Sequence, residues 1–322
     1  MSTPAFTRLA SIAILSGIGL CFATGHIAAR LSFDLGTGVI ATVFFRSALV
    51  GTILTFFLLH RRQRFTLAPE LRLWQLLLGV LITIQSIGLY IGVANIPVGI
   101  ALLFVHTFAI MLALITWALG GPAPRRSSVL LMLLCLFGLF LCLDVPQLLS
   151  ANAADRDTWI KGVSAALIAA LAFAFGMWVT EHKLPTLAGS LRSFYTTLVI
   201  LACALGISQT DVFADGFQWP PEPIGWAYLV FLSSLYGLGF ITLFVLAPRL
   251  NMAQNSPALH IEPVVSLALG WVILGQRLST LQIIGGFCVI IGIMTLALLR
   301  RQEVSPQSSK PATGTPEQAD NT

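Results

Sequence analysis

The sequence predicts an all-α membrane protein whose ten transmembrane helices form two inverted five-helix repeats. Three observations carry the prediction: too little charge for a water-facing surface, ten apolar runs of spanning length, and short motifs that recur in order between the two halves. Of the 322 residues, 57% are hydrophobic and only 10% charged, where a soluble domain carries about 25% charged residues. The mean hydropathy of +0.88 has the same meaning.

Crossing about 30 Å of hydrocarbon takes roughly 20 apolar residues as a helix. Ten runs qualify: 9–29, 37–59, 73–94, 98–119, 127–145, 161–180, 190–209, 225–247, 255–275 and 279–299. The first follows Arg8 and ends on Ala28-Ala29, as a secretion signal would. Its apolar run is too long for such a signal and further spans follow, so it is expected to persist as a helix. The third span carries Gly88 and Gly92 in a GxxxG pattern, and the eighth a looser analogue in Ser233 and Gly237; both permit close helix approach. The segment 300–322 is rich in Ser, Pro, Thr and Gln, has little to bury, and is expected to be a disordered tail. The five cysteines, Cys21, Cys135, Cys142, Cys203 and Cys288, fall inside apolar runs without a CxxC or a zinc-like spacing to histidine. They read as small buried hydrophobes, and no metal or cofactor is expected.

The net charge of +5 is explained by topology, without a nucleic-acid partner. With a cytoplasmic N-terminus, the inside holds Arg8, Arg61, Arg62, Arg64, Arg72, Arg125, Arg126, Lys183, Arg249, Arg300, Arg301 and Lys310, and the outside holds Arg30, Arg156, Lys161 and Arg277. Basic residues favour the cytoplasmic face, so both termini are placed inside, in the inner (plasma) membrane. The longest exterior loop, 210–224, is acidic, with Asp211, Asp215 and Glu222.

The halves echo each other. Phe22-Ala23 with Gly25 recurs as Phe173-Ala174 with Gly176, and Arg46-Ser47 as Arg192-Ser193. His106-Thr107 aligns with Glu262-Pro263, Gly120 with Gly275, and Gly138 with Gly292. Five helices are an odd number, so a second copy inserts upside down. The product has a pseudo-two-fold axis in the membrane plane, a recurrent plan among secondary transporters. Residues 1–145 and 146–299 are the expected repeats.

The passage 90–104 (YIGVANIPVGIALLF), with Thr107 and Phe108, resembles the third-to-fourth helix passage of EamA-type proteins. Residues 258–279 (ALHIEPVVSLALGWVILGQRLS) are similar to the ending of that family's second repeat. The resemblance covers roughly 9–299 and implies the drug/metabolite transporter superfamily: ten helices, two inverted repeats, a central cavity, and export of small metabolites. The chain departs from the family pattern at Gln276, where an acid is usual, and at Gly121-Pro122-Ala123-Pro124.

Ionisable groups inside a bilayer cost about 2.5–3.5 kcal/mol at a helix centre, so each is a site candidate. Glu262 is the only carboxylate well inside a predicted span, Asp144 standing at the very end of the fifth. Pro263 after it and Pro257 before it are expected to break the ninth helix near mid-depth. The acid could then bind a cationic group or a proton, or make a purely structural hydrogen bond. His106, at the repeat-equivalent position, is the first candidate to approach Glu262, and histidine suits proton coupling. His260 stands about 200° from Glu262 around an ideal helix, and so shares its cavity only if the segment unwinds. Arg46 lies deep in the second span, where it either pairs within the protein or meets an anionic substrate. Arg192, near the cytoplasmic end of its span, can snorkel. His26 and Gln85 add polarity to spans one and three. Tyr90, Phe104, Trp178, Tyr236 and Phe240 are candidate stacking surfaces, or ordinary packing.

These features favour a secondary transporter that exports a small metabolite or drug-like solute by alternating access through a central cavity. Its partners are that solute and lipid, with proton coupling and a homodimer left open. A non-transporting scaffold or receptor has only short loops to bind with. An intramembrane enzyme would need a nucleophile turn, an HExxH helix or paired aspartates, none of which the spans contain.

Overall fold

The computed structural model describes residues 6–63, 65–121, 123–124, 126–210, 217–246, 250, 258–259 and 261–304. They form the helices α1 (Arg8–Asp34), α2 (Val39–His60), α3 (Pro69–Asn95), α4 (Val98–His106), α5 (Phe108–Ala118), α6 (Arg126–Cys142), α7 (Val145–Ser150), α8 (Ala153–His182), α9 (Gly189–Ser208), α10 (Pro223–Leu246), α11 (Ile261–Leu274) and α12 (Thr280–Val304). Taking α4 with α5 as one stretch, seven helical stretches are long and apolar enough to cross a membrane, and α6, α11 and α12 are shorter apolar companions. Among the described residues these make ten apolar helical segments, with α7 a connector.

Local chemistry sets the helix starts that hydropathy misplaces. The Thr7 hydroxyl accepts from the Ala10 amide at 3.3 Å, and Pro69 opens α3, where its missing N–H is no loss. Asn152 accepts from the Asp155 amide at 2.9 Å. This cap starts α8 at Ala153, ahead of the predicted 161, and lets a charged first turn precede the apolar run. The fifth span ends at Cys142 instead of 145, because Asp144 turns the chain at φ 45°. The tail boundary also moves, since α12 runs on to Val304; residues 305–322 lie outside the described residues.

The fourth span, expected to be continuous, is divided, and the ninth, expected to break at its prolines, has its α-helix only from Ile261. The fourth breaks at Thr107, whose amide and hydroxyl both bond the Phe104 carbonyl, at 3.2 and 2.6 Å, tightening the helix into a turn. In the ninth, Ala258-Leu259 form a 3-10 turn and α11 begins at Ile261. Pro263 therefore occupies a first turn, where no interior helix bond is lost. It begins a helix where it was expected to kink one. Pro257 and His260 lie outside the described residues.

In a membrane, helices associate through close packing of small residues. Gly88 of α3 lies against α8: a Cβ there would stand 2.6 Å from the Ala165 carbonyl and 3.1 Å from the Ala169 Cβ. The same α3·α8 pairing has a counterpart in α1·α10, where Gly25 faces Leu232 and Leu235. Likewise α3 packs on α9 and α2 on α10, α4 and α5 pack on α8 and α11 on α1, while α2·α9, α4·α11 and α6·α12 join the N-terminal and C-terminal halves of the chain. Gly138 abuts Gly285 and Cys288 of α12, and Gly292 abuts Cys135 of α6. Gly120 and Gly275 end the second helices of the two broken spans at φ 90° and 63°, values that an L side chain resists.

The apolar interior is uneven. On the face where α2, α4, α8, α10 and α12 begin, one cluster gathers Ile27, Val43, Val93, Leu103, Leu139, Ala166, Ala204, Leu232 and Val289. On the opposite face, where α1 begins, two clusters stand apart among the described residues. One joins Leu58, Leu78, Val179, Leu184 and Leu191, and the other Leu15, Ile18 and Leu250.

Candidate solute-binding site

A connected set of polar and aromatic side chains lies where α1, α2 and α3 meet α10 and α11. It is assembled from three helical i, i+4 pairs, a spacing that places two side chains on one face. These are Phe22 and His26 on α1, Ser86 and Tyr90 on α3, and Tyr236 and Phe240 on α10.

Arg46 of α2 is the centre of the set and only 3% exposed. One terminal nitrogen donates to the Tyr90 hydroxyl at 3.1 Å and the other to Ser86 Oγ at 2.9 Å. Its guanidinium carbon lies 4.1 Å from the Tyr236 ring centroid and 5.0 Å from that of Tyr90. Cation–π contacts of this kind are worth about 2 kcal/mol when desolvated. Nε of Arg46 has no hydrogen-bond partner among the described residues. Gln85 joins at the edge, its Oε1 accepting from Ser86 at 3.3 Å. The Tyr236 ring then stacks on Phe240 (5.8 Å, 18°) and tilts against Phe22 (5.7 Å).

Glu262 approaches from the second half. Its Oε1 is 3.1 Å from His26 Nε2, with both side chains largely shielded. The first turn of α11 favours a carboxylate, because unpaired amides and the helix dipole point there. His26 in turn meets the Tyr90 ring edge-on at 6.0 Å, and its Nδ1 has no hydrogen-bond partner among the described residues. Tyr90 thus stands between the Glu262–His26 pair and Arg46.

The structure brings some of the sequence-based candidates together and places others apart. Among the described residues, a histidine seen at ion-pair distance from Glu262 is His26. His106 ends α4, where its Nδ1 lies 2.9 Å from the Leu102 carbonyl and its ring 6.2 Å from that of Phe108. Among the described residues, Arg46 is held by hydroxyls and rings rather than by an acid. Trp178 lies elsewhere, stacked on His182 at 5.1 Å, with Lys183 5.6 Å from its centroid. Phe104 is packed into the large apolar cluster. Ser86 is a member that sequence reasoning missed, although its i, i+4 spacing to Tyr90 is a legible signal. Gln276, the departure at the end of the ninth span, accepts from the Val98 amide at 3.2 Å and so caps α4. Its amide oxygen supplies there the acceptor that a carboxylate would.

Residues 160–298 match the EamA-like transporter family. The chain is 27% identical over 237 residues to the uncharacterized transporter sll1319 of Synechocystis sp., an alignment covering 72% of this chain and 68% of that one. A solved crystal structure matches 93% of this chain and 100% of its own at a TM-score of 0.58 and 19% identity, a likeness of fold. With its succession of apolar helices, the chain is a multi-pass membrane protein, and the EamA-like match of its second half together with the transporter-named relative supports a transporter of the drug/metabolite type.

Proposed function

We propose that this protein is a secondary transporter that exports a small metabolite or drug-like solute by alternating access. The observation that carries the reading is the set of Arg46, Tyr90, His26, Tyr236 and Glu262, built from three helices of the first half and two of the second. Buried ionisable groups in a bilayer are costly and belong where a solute path needs them. Interrupted helices beside such groups are the usual device for presenting polar backbone to a solute at mid-depth; the breaks at Thr107 and before Ile261 fit that device. The matched helix pairings support two repeats, 1–145 and 146–299, related by a pseudo-two-fold axis. The excess of basic residues on the N-terminal side supports cytoplasmic termini in the inner membrane. The Glu262–His26 pair is the group suited to couple a proton, since protonation of either member changes the bond between them.

The test is flux in proteoliposomes over a metabolite panel, with Glu262→Gln and His106→Ala as variants. Glu262→Gln is expected to lower flux at least tenfold while leaving the purified protein folded. A wild-type protein that moves no solute would sink the transport reading, and a Glu262→Gln protein with unchanged flux at every pH would remove the acid from the mechanism.

A further inference from the structure

We infer that Arg46 is the docking cation for the carboxylate of a monoanionic organic solute, whose apolar body lies along Tyr236, Phe240 and Phe22. The inference rests on the transport reading and names the class of solute that the same site takes.

The argument begins with charge. Among the described residues the ion pairs are His26–Glu262 and Arg30–Asp34, and Arg46 belongs to neither. Its partners, Tyr90, Ser86 and the Tyr236 ring, are all neutral. They orient the guanidinium without cancelling its charge. An arginine 3% exposed within a span therefore lacks a counter-ion among the described residues, although a buried cation is normally paired.

Directed hydrogen-bonding capacity points the same way. Nε is left without a partner among the described residues, and the guanidinium edge combines with nearby hydroxyls to suit a planar carboxylate, the preferred bidentate partner of arginine. Charge number separates carboxylate from phosphate: one fixed cation neutralises a monoanion, whereas a phosphate dianion would leave a net negative charge buried in lipid. A cationic solute would add repulsion.

The shelf supplies the remainder of the ligand. Tyr236, Phe240 and Phe22 are half-buried, in contrast to Tyr90 at 2% exposed. Along α10 the order Tyr236 then Phe240, and along α1 the order His26 then Phe22, both lead from Arg46 toward the face where the apolar core is divided. Ring faces accept flat or branched apolar groups without demanding a hydrogen bond.

The experiment measures thermal stability of the detergent-purified full chain with benzoate, benzamide, benzylamine or phenyl phosphate, since a ligand of the native state raises apparent stability. Benzoate is expected to stabilise the wild type at concentrations at least tenfold below the other three. Arg46→Gln should abolish the benzoate shift, and Arg46→Lys should leave a reduced one. Tyr236→Leu should weaken benzoate but not acetate. The inference is overturned if benzoate gives no shift, if benzamide or benzylamine equals it, if phenyl phosphate surpasses it, or if Arg46→Gln responds as the wild type does. Should the variants fail to fold, the ranking of the four probes on the wild type decides alone. Carboxylate binding without flux of any solute would sink the transport reading and leave this site standing. Flux of a neutral or cationic solute unimpaired by Arg46→Gln would sink this site and leave the transporter standing.

Discussion

The two faces of the helix bundle are built differently. On the face opposite the N-terminus, one apolar cluster draws together helices of both halves. Polar ties cross between the halves there: the Gly38 amide donates to the Gln218 carbonyl at 2.9 Å, and Gln276 caps α4. On the N-terminal face, the described side chains fall into a group on α2, α3, α8 and α9 and another around α1, α10 and α11. The first group has its own ties, from Gln75 to the Arg192 carbonyl and Thr196, and from Ser190 to Gln63. Each group is coherent, and the apolar seam between them is missing among the described residues. The difference teaches where movement is cheap: two packed bodies joined firmly at one face can part at the other. In the proposed cycle, the joined face must open next.

The strongest way to break this contrast is steric. Gly88→Leu places a side chain against the Ala165 carbonyl in the joined region and is expected to cost about 3 kcal/mol or more, with loss of monodisperse protein in detergent. Gly17→Leu, on α1 toward the N-terminal face, meets nothing within 4 Å and should change stability by less than about 0.5 kcal/mol. Equal thermal shifts for the two would erase the distinction.

A covalent test sharpens it further. A Gly38→Cys/Gln218→Cys pair clamps the joined face, and oxidation should reduce solute flux at least tenfold, with recovery on reduction. A Gln75→Cys/Thr196→Cys pair lies within one body and should leave flux within about twofold of the reduced protein, since no relative motion is asked of it. Flux that survives the first clamp would show that this face need not open.

The smallest expected effect concerns Gln276. Its replacement by Ala removes the acceptor for the Val98 amide and should cost about 1 kcal/mol, whereas Gln276→Glu should retain stability. Thermal unfolding of both variants in one detergent reads the difference.

Much of this molecule is legible in its sequence. The GxxxG pattern of span three foretells a close contact, and Gly88 makes it with α8. The candidate site is legible as a set of names, and Arg46, His26, Tyr90, Tyr236, Gln85 and Glu262 do converge. Their partnerships are not legible. Repeat symmetry suggests His106 for Glu262, but the neighbour of α11 that carries the pairing histidine is α1, and sequence offset carries no information on rotation about a helix axis. The breaks at Thr107 and before Ile261 are half legible, because proline marks one, whereas the other depends on where a threonine hydroxyl bonds.

The sequence by itself determined that the chain must be helical and lie in lipid, because a backbone crossing hydrocarbon satisfies its amides only in helices or closed barrels, and its apolar runs have helix length. It also marked ten apolar segments, each of which is helical among the described residues. Only the tertiary structure decided that the cation of α2 meets the hydroxyls of α3 and the ring of α10, while the acid of α11 turns to the histidine of α1. Inside a membrane such choices rest on which small residues let two helices approach and how each is rotated, and these are relations between segments that no single segment encodes.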